Sequence, residues 1–222
     1  MSDDHTTYLL KNLHTGEFEE AQLHHAISQQ HVEDVEQTWK PILQQHLSDL
    51  KKKHQYGTDK FDPEKLFNEM AVLMIQDAGW DWGKKYKVLS STFGYSSCAL
   101  ICNQQIQGLG YFETSETHKS RIITDKPTGV LYVEFIASAP WNRKQIAKQQ
   151  YAGIGEALIT HAIDLSFAED LNGRVGLHSL PQAEDFYLTK CGMQDFGIDA
   201  GKEMRYFEMS HEQANEWLAK IR

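Results

Sequence analysis

The stretch QQYAGIGEALI, residues 149–159, decides how this chain is read. Gly153 and Gly155 lie one residue apart, and an apolar run with helical spacing follows at once. The first turn of a helix carries unsatisfied N–H groups and a partial positive charge. Glycine lets a backbone come close to a phosphate and take torsions that a Cβ forbids. A Gly-rich turn at residues 150–155 that opens a helix at Glu156 is therefore a place to hold a pyrophosphate on main-chain amides. Two other phosphate motifs are excluded. The pattern G-x-G-x-x-G needs glycine where Leu158 stands, and no G-K-[ST] completes a P-loop.

The flanking segments extend this pattern. SCALICNQ and IQGLGYFE read as paired strands joined by a tight turn at Asn103 and Gln104. GVLYVEFIASA, residues 129–139, is a long β-branched and aromatic strand stopped by Pro140. Past the glycines come an amphipathic helix (GEALITHAIDLSFAED) and a short strand (GRVGLHSL). Then follow a helix opened by Pro181 and stopped by Gly192, a strand (EMRYFEMS) and a terminal helix (HEQANEWLAKIR). This order predicts an α/β (α+β) fold, a mixed and mostly antiparallel central sheet flanked by helices.

The N-terminal third has a different texture. From about Glu17 to Leu50 it is rich in Gln, Glu and His, with Val32, Val35, Trp39, Leu43, Leu47 and Leu50 at helical spacing. Pro41 predicts a break or kink there. FDPEKLFNEMAVLMIQDAG predicts a helix with Asp62 as N-cap, Pro63 at the first position and Gly79 as the stop. Its expected buried face is Leu66, Phe67, Met70, Leu73 and Met74. Residues 1–85 are thus expected to form a helical extension packed on a core of residues 86–222.

In that setting QYAGIG, residues 150–155, fits the acyl-CoA signature Q/R-x-x-G-x-G/A, and the chain resembles the GNAT superfamily of N-acetyltransferases. RVGLHSLPQAEDFYLTKCGM fits the family's next strand and Tyr-bearing helix, with Tyr187, Gly192 and Met193 in place, and VEFIASAP resembles its fourth strand. The resemblance covers roughly residues 86–209. Leu180 stands where the family often has Asn, residues 141–149 make a longer loop than usual, and the WDW motif at 80–82 is extra.

The resemblance implies acetyl-CoA as co-substrate and direct transfer to a primary amine through a tetrahedral intermediate. It places Gln150, Tyr151, Ala152, Gly153, Ile154, Gly155 and Glu156 at the pyrophosphate. It places the backbone of Ile136, Ala137 and Ser138 at the pantetheine arm and the thioester carbonyl. Strand alternation sets Glu134, Ile136 and Ser138 on one face with Tyr132, and a carboxylate inside an apolar strand is costly unless used or paired. Glu134 is thereby the candidate base, its alternative being a pair with a buried Arg or Lys. Tyr187 is the candidate acid for the leaving thiolate, a role the family context favours over that of a core tyrosine. His178, Trp80 and Trp82 are candidates for lining the acceptor site, or for packing.

Composition narrows the partners. The 222 residues carry a formal charge of −9, which opposes nucleic-acid binding and suits a cationic small-molecule or peptidic acceptor. A homodimer is the alternative in which the apolar faces of the N-terminal helices, too large to leave exposed, pack on a second copy of the chain. No apolar run is long enough to span a membrane, and the start MSDDHTTYLL lacks a basic leader, so a cytoplasmic protein is expected. Cys98, Cys102 and Cys191 are expected as buried free thiols. His24, His25 and His31 lack a metal-ligand pattern, so no metal is expected. A different class of function fits the same fold, a non-catalytic acyl-CoA-binding or interaction module.

Overall fold

In the computed structural model, residues 5–115, 118–123 and 128–221 are described. The elements in chain order are β1 (His5–Asn12), β2 (Phe18–His24), α1 (Gln29–Lys53), α2 (Pro63–Val72), α3 (Trp82–Leu89), β3 (Tyr95–Cys102), β4 (Gln105–Glu113), β5 (Leu131–Ser138), β6 (Tyr151–Ala152), α4 (Ile154–Ala168), β7 (Val175–Ser179), β8 (Gln194–Asp199), β9 (Met204–Met209) and α5 (His211–Ile221). The strands form one sheet in the order β6-β1-β2-β3-β4-β5-β7-β9-β8. Every pairing is antiparallel except that of β5 with β7. The expected mixed, mostly antiparallel sheet flanked by helices is therefore present.

Helices cover both faces. On one, Leu158, Ile159 and Ala162 of α4 pack with Phe112, Val133, Leu177 and Phe207 of the sheet. On the other, Val32, Val35 and Trp39 of α1 pack with Ala99, Leu109, Tyr111 and Ala137. The stripe read from the N-terminal sequence is buried throughout: Val32, Val35, Trp39, Leu43, Leu47 and Leu50 all face inward. The three cysteines are buried and free. The tight turn at Asn103 and Gln104 is present, both residues with positive φ.

Four local expectations are corrected. The chain is not helical from Glu17. It forms β1 and β2, a hairpin whose second strand pairs with β3 from Ala21↔Cys102 to His24↔Ala99. In β2 only Ala21 and Leu23 are buried, a period-two pattern that polar neighbours conceal. Helix α1 begins after Ser28, whose hydroxyl accepts from the His31 amide at 3.2 Å while His31 Nδ1 accepts from the Ser28 amide. Pro41 does not end α1, which runs on to Lys53. The buried stripe on both sides of Pro41 outweighs the one lost hydrogen bond.

Helix α2 ends at Val72 rather than at Gly79. Leu73 caps it, Met74 takes a left-handed φ of 57°, and the chain turns to bury Ile75 and Ala78 instead. Of the expected face, Leu66 is buried, Met70 and Leu73 are partly buried, and Phe67 is exposed. The helix expected after Pro181 is present but irregular, a 3-10 turn (Pro181–Ala183) leading into a π-helical turn (Phe186–Lys190). β8 and β6 were not legible. Arg222, at the end of the expected terminal helix, lies outside the described residues. No helix among the described residues is long and apolar enough to cross a membrane.

Buried on α4, His161 lies 5.4 Å from the Phe112 ring and 5.6 Å from the His25 ring, centroid to centroid. Burial holds its pKa down to about 4, with His25 adding to the effect. The unfolded chain therefore binds a proton near its ordinary value of about 6.5, while the folded chain does not. Stability is expected to fall as pH drops from 6.5 toward 4, and His161→Gln is expected to flatten that slope. Denaturant melts at pH 7 and pH 5 check it; equal pH slopes for both proteins contradict it.

Candidate active site

The site is built where β5 and β7 part. Their parallel ladder covers only Leu131↔Val175, Tyr132↔Gly176 and Val133↔Leu177. β5 continues to Ser138 and β7 to Ser179, so residues 134–138 have no strand on that side. At the point of parting β5 bulges. Phe112 faces Val133 and Tyr111 faces Phe135, which leaves Glu134 with no partner in β4. The bulge also resets the alternation. Val133 and Ile136 both join the α4-side core, while Phe135 and Ala137 join the α1-side core. The expected common face of Glu134 and Ile136 is thus corrected by one inserted residue.

Glu134 acts electrostatically on Lys85, Tyr95 and Tyr132, which places it on the side of α3 and β3. Its carboxylate makes no hydrogen bond or close ion pair to a described residue. Lys85 Nζ sits 3.1 Å from the centroid of the Phe135 ring and 4.7 Å from that of Trp80. Burial pulls the Lys85 pKa down to about 8, against the pull of Glu134 and then Asp81. The alternative of a Glu134 partnered by a lysine is therefore met in part, at a distance rather than as a contact.

Tyr187 lies in the π-helical turn, 7% exposed, with rings of Phe186 and Phe207 at 5.3 and 5.9 Å. Burial pushes its phenol well above the ordinary value, so it holds its proton. Its hydroxyl makes no hydrogen bond to a described residue. π-Helical turns are frequent at functional sites. Here the turn is fixed by the Cys191 amide donating to the Phe186 carbonyl at 3.0 Å.

At the start of α4, the two glycines serve different ends. Gly153 is the N-cap with φ 99°, a left-handed torsion that strains any residue with a Cβ. A Cβ on Gly155 would stand 2.8 Å from the Phe186 ring, so Gly155 admits the aromatic that precedes Tyr187. No side chain caps the helix, which leaves the first-turn amides of Ile154, Gly155 and Glu156 open to a ligand. Glu156 pairs with Lys190 at 3.4 Å. Gln150 accepts from the Leu13 amide at 2.8 Å, and Ala152 pairs with Lys11 in β1. Tyr151 is fully engaged. Its amide donates to Asn142 Oδ1 at 2.9 Å and its hydroxyl to Glu19 at 2.6 Å, so it builds the loop.

A strap of residues 74–78 spans the opening. Asp77 and Arg143 pair through two 2.6 Å bonds, with side chains 5% and 3% exposed. Arg143 also donates to the Met74 and Ser138 carbonyls, both at 2.7 Å, which removes the Ser138 carbonyl from any other pairing. On the far wall, the Gln76 amide donates to Gln182 Oε1 at 2.7 Å and the Gln182 amide to Gln76 Oε1 at 2.9 Å. Gln76 Nε2 is buried without a partner among the described residues, a costly state for a donor unless a ligand accepts from it. The long loop before β6 is held by Gln107, whose side-chain oxygen accepts from Trp141 at 3.0 Å and Asn142 at 2.8 Å.

The other candidates divide. His178 is half-buried, with Nδ1 2.7 Å from the Tyr132 hydroxyl and Nε2 3.4 Å from Asp199, an ion-pair distance without hydrogen-bond alignment. Burial lowers its pKa, partly offset by Asp199. Trp82 is core, against Trp39 and Tyr111, whereas Trp80 meets Phe135 and Lys85 beside Glu134. Lys85, Gln76, Asp77, Arg143 and Gln182 were missed. Asp77 and Arg143 stand far apart in sequence, and nothing local to either announces the other.

Solved structures of other proteins resemble this chain in fold. RimJ from Mycobacterium smegmatis, solved with CoA-disulfide, superposes with a TM-score of 0.52 at 11% identity, over 96% of this chain and 93% of that one. An uncharacterized protein from Bacillus halodurans superposes with a TM-score of 0.51 at 9% identity, over 99% and 100%. The GNAT domain of S. lividans PAT gives 0.47 at 11% identity, over 94% and 98%. No family model matches the sequence, and no curated protein does. The chain has the GNAT fold.

Removing one member of the Asp77–Arg143 pair leaves a buried charge uncompensated. Asp77→Ala is expected to cost about 3–5 kcal/mol of stability. Equilibrium denaturation measures it, and a loss under about 1 kcal/mol would show that the strap does not depend on the pair.

Proposed function

We propose that this chain is an acetyl-CoA-dependent N-acetyltransferase that moves an acetyl group to a primary amine by direct transfer. The observation that carries the reading is the opening between β5 and β7. Two further features support it: the start of α4 has no side-chain cap, and neither Glu134 nor Tyr187 makes a side-chain hydrogen bond to a described residue. The first-turn amides of α4 would hold the pyrophosphate, with Gly153 supplying the torsion that aims them. The unpaired edge of β5 from Ile136 onward would pair with the pantetheine arm and offer an N–H to the thioester oxygen as negative charge builds there. The Ser138 carbonyl is excluded from this, because Arg143 takes it.

Glu134 would accept the proton that the attacking amine sheds, directly or through water. An amine with a pKa of about 10 is mostly protonated at neutral pH and needs such an acceptor. Tyr187, kept neutral by burial, would give its proton to the departing thiolate. The strap would exclude water from the transfer. The excess of 31 acidic over 22 basic residues favours a cationic acceptor, small or peptidic, over nucleic acid.

Three variants test the reading. Gly153→Val is expected to abolish measurable acetyl-CoA binding by calorimetry while the protein stays folded; unchanged affinity sinks the pyrophosphate site. Tyr187→Phe is expected to lower kcat by roughly 10²-fold with little change in acetyl-CoA affinity. Glu134→Gln is expected to depress kcat/KM most at low pH, where the amine most needs a base. pH–rate profiles with one identified acceptor read both, and near-wild-type rates throughout would reduce the two residues to packing.

A further inference from the structure

Lys85 places a primary amine of the chain itself beside the proposed transfer site. Helix α3 starts where Asp81 caps it, its side chain accepting from the Lys84 amide at 2.8 Å. One turn on, the stem of Lys85 reaches back to β5. Its Nζ rests on Phe135 at 3.1 Å and on Trp80 at 4.7 Å, and these two rings meet edge to face at 5.1 Å. Glu134, at the bulge next to Phe135, is the carboxylate that acts on it most strongly. Two aromatic faces and one carboxylate form a box for an alkylammonium. The remaining residues of that strand, 136–138, are those proposed above to lie along the acyl arm.

We propose that Lys85 is an acetyl acceptor of this site, modified by its own molecule with acetyl-CoA as donor. The proposal rests on the acetyltransferase reading. The neutral Nζ forms a bond to the thioester carbonyl carbon, the carbon–sulfur bond breaks, and the product is an amide on Lys85 plus free CoA. Nζ sheds one proton to Glu134, and the leaving thiolate takes one from Tyr187. The two residues reset through solvent, with no oxidant or reductant involved. Burial supports the step. With a pKa of about 8, roughly half of Lys85 is neutral near pH 8, against well under a hundredth of an ordinary exposed lysine. Lys84 and Lys87 on the same helix are exposed and serve as internal references. Acetylation removes the cation from the box, so Glu134 loses the charge it faces.

The test is incubation of the full chain with acetyl-CoA labelled in its acetyl group at pH 8, followed by peptide mass spectrometry over time. Label is expected on Lys85 at least about tenfold faster than on Lys84 or Lys87, with a rate constant independent of protein concentration. Gly153→Val leaves the Lys85 box intact, and it is expected to slow labelling of Lys85 by about tenfold or more. Labelling of Lys85 no faster than of its neighbours, a rate that rises with protein concentration, or equal labelling in Gly153→Val overturns the proposal. A parallel assay follows CoA release with a panel of primary amines. Release without label on Lys85 overturns self-acetylation and leaves the enzyme reading standing. Failure to bind acetyl-CoA at all removes both.

Discussion

The short ladder between β5 and β7 is the constraint from which the site follows. Three residue pairs join the strands, and then they part in the middle of the sheet. Backbone N–H and C=O groups in such a place must find partners, because an unpaired buried one costs as much as a lost hydrogen bond. The chain answers only part of that demand. Arg143 takes the Ser138 carbonyl, and the 74–78 strap crosses the opening on the Asp77–Arg143 pair and the Gln76–Gln182 exchange. What stays unanswered is the edge of β5 between those supports, together with the buried Gln76 Nε2. An extended ligand with amide groups of its own meets such a demand.

The supports around the opening are tied together by side-chain hydrogen bonds. Gln107, fully buried, orients Trp141 and Asn142, and Asn142 in turn holds the Tyr151 amide just ahead of α4. Glu19 binds the hydroxyl of the same Tyr151 at 2.6 Å and the side chains of Asn12 and Asn103, which tie β1 and the β3–β4 turn to the helix start. Gly155 lets the Phe186 ring sit on that helix start and so sets the turn that carries Tyr187. Residues from three distant stretches of chain thus fix one left-handed glycine and one phenol in relation to each other.

Much of this was legible because it is local. The Gly-rich turn, the strand ended by Pro140 and the stripe from Val32 to Leu50 each announce themselves by period and punctuation, as does the helix that follows the turn, which starts at Ile154, two residues ahead of the expected Glu156, and so takes in Gly155. What stayed hidden is set by partners. β2 is a strand because β3 offers it an edge, and β1 because β2 does, although their own sequence is polar enough to read as a solvated helix. Pro41 sits inside α1 because the packed stripe outweighs its local cost. The bulge at Glu134 turns Ile136 to the opposite face from the one simple alternation gives, and no residue in VEFIAS marks it. Lys85 was unremarkable in WDWGKKYK; only the fold carries it to Phe135 and Glu134.

The central claim is that an acyl-CoA lies in the parting of β5 and β7 with its phosphates on the start of α4. Amide hydrogen exchange with and without acetyl-CoA tests it most directly, since the groups proposed to bind are backbone N–H groups. The account predicts new protection in two separated segments, 134–138 and 153–156, with the 74–78 strap slowed as well. Unchanged exchange in both segments at saturating acetyl-CoA, or protection confined to another part of the sheet, would contradict it.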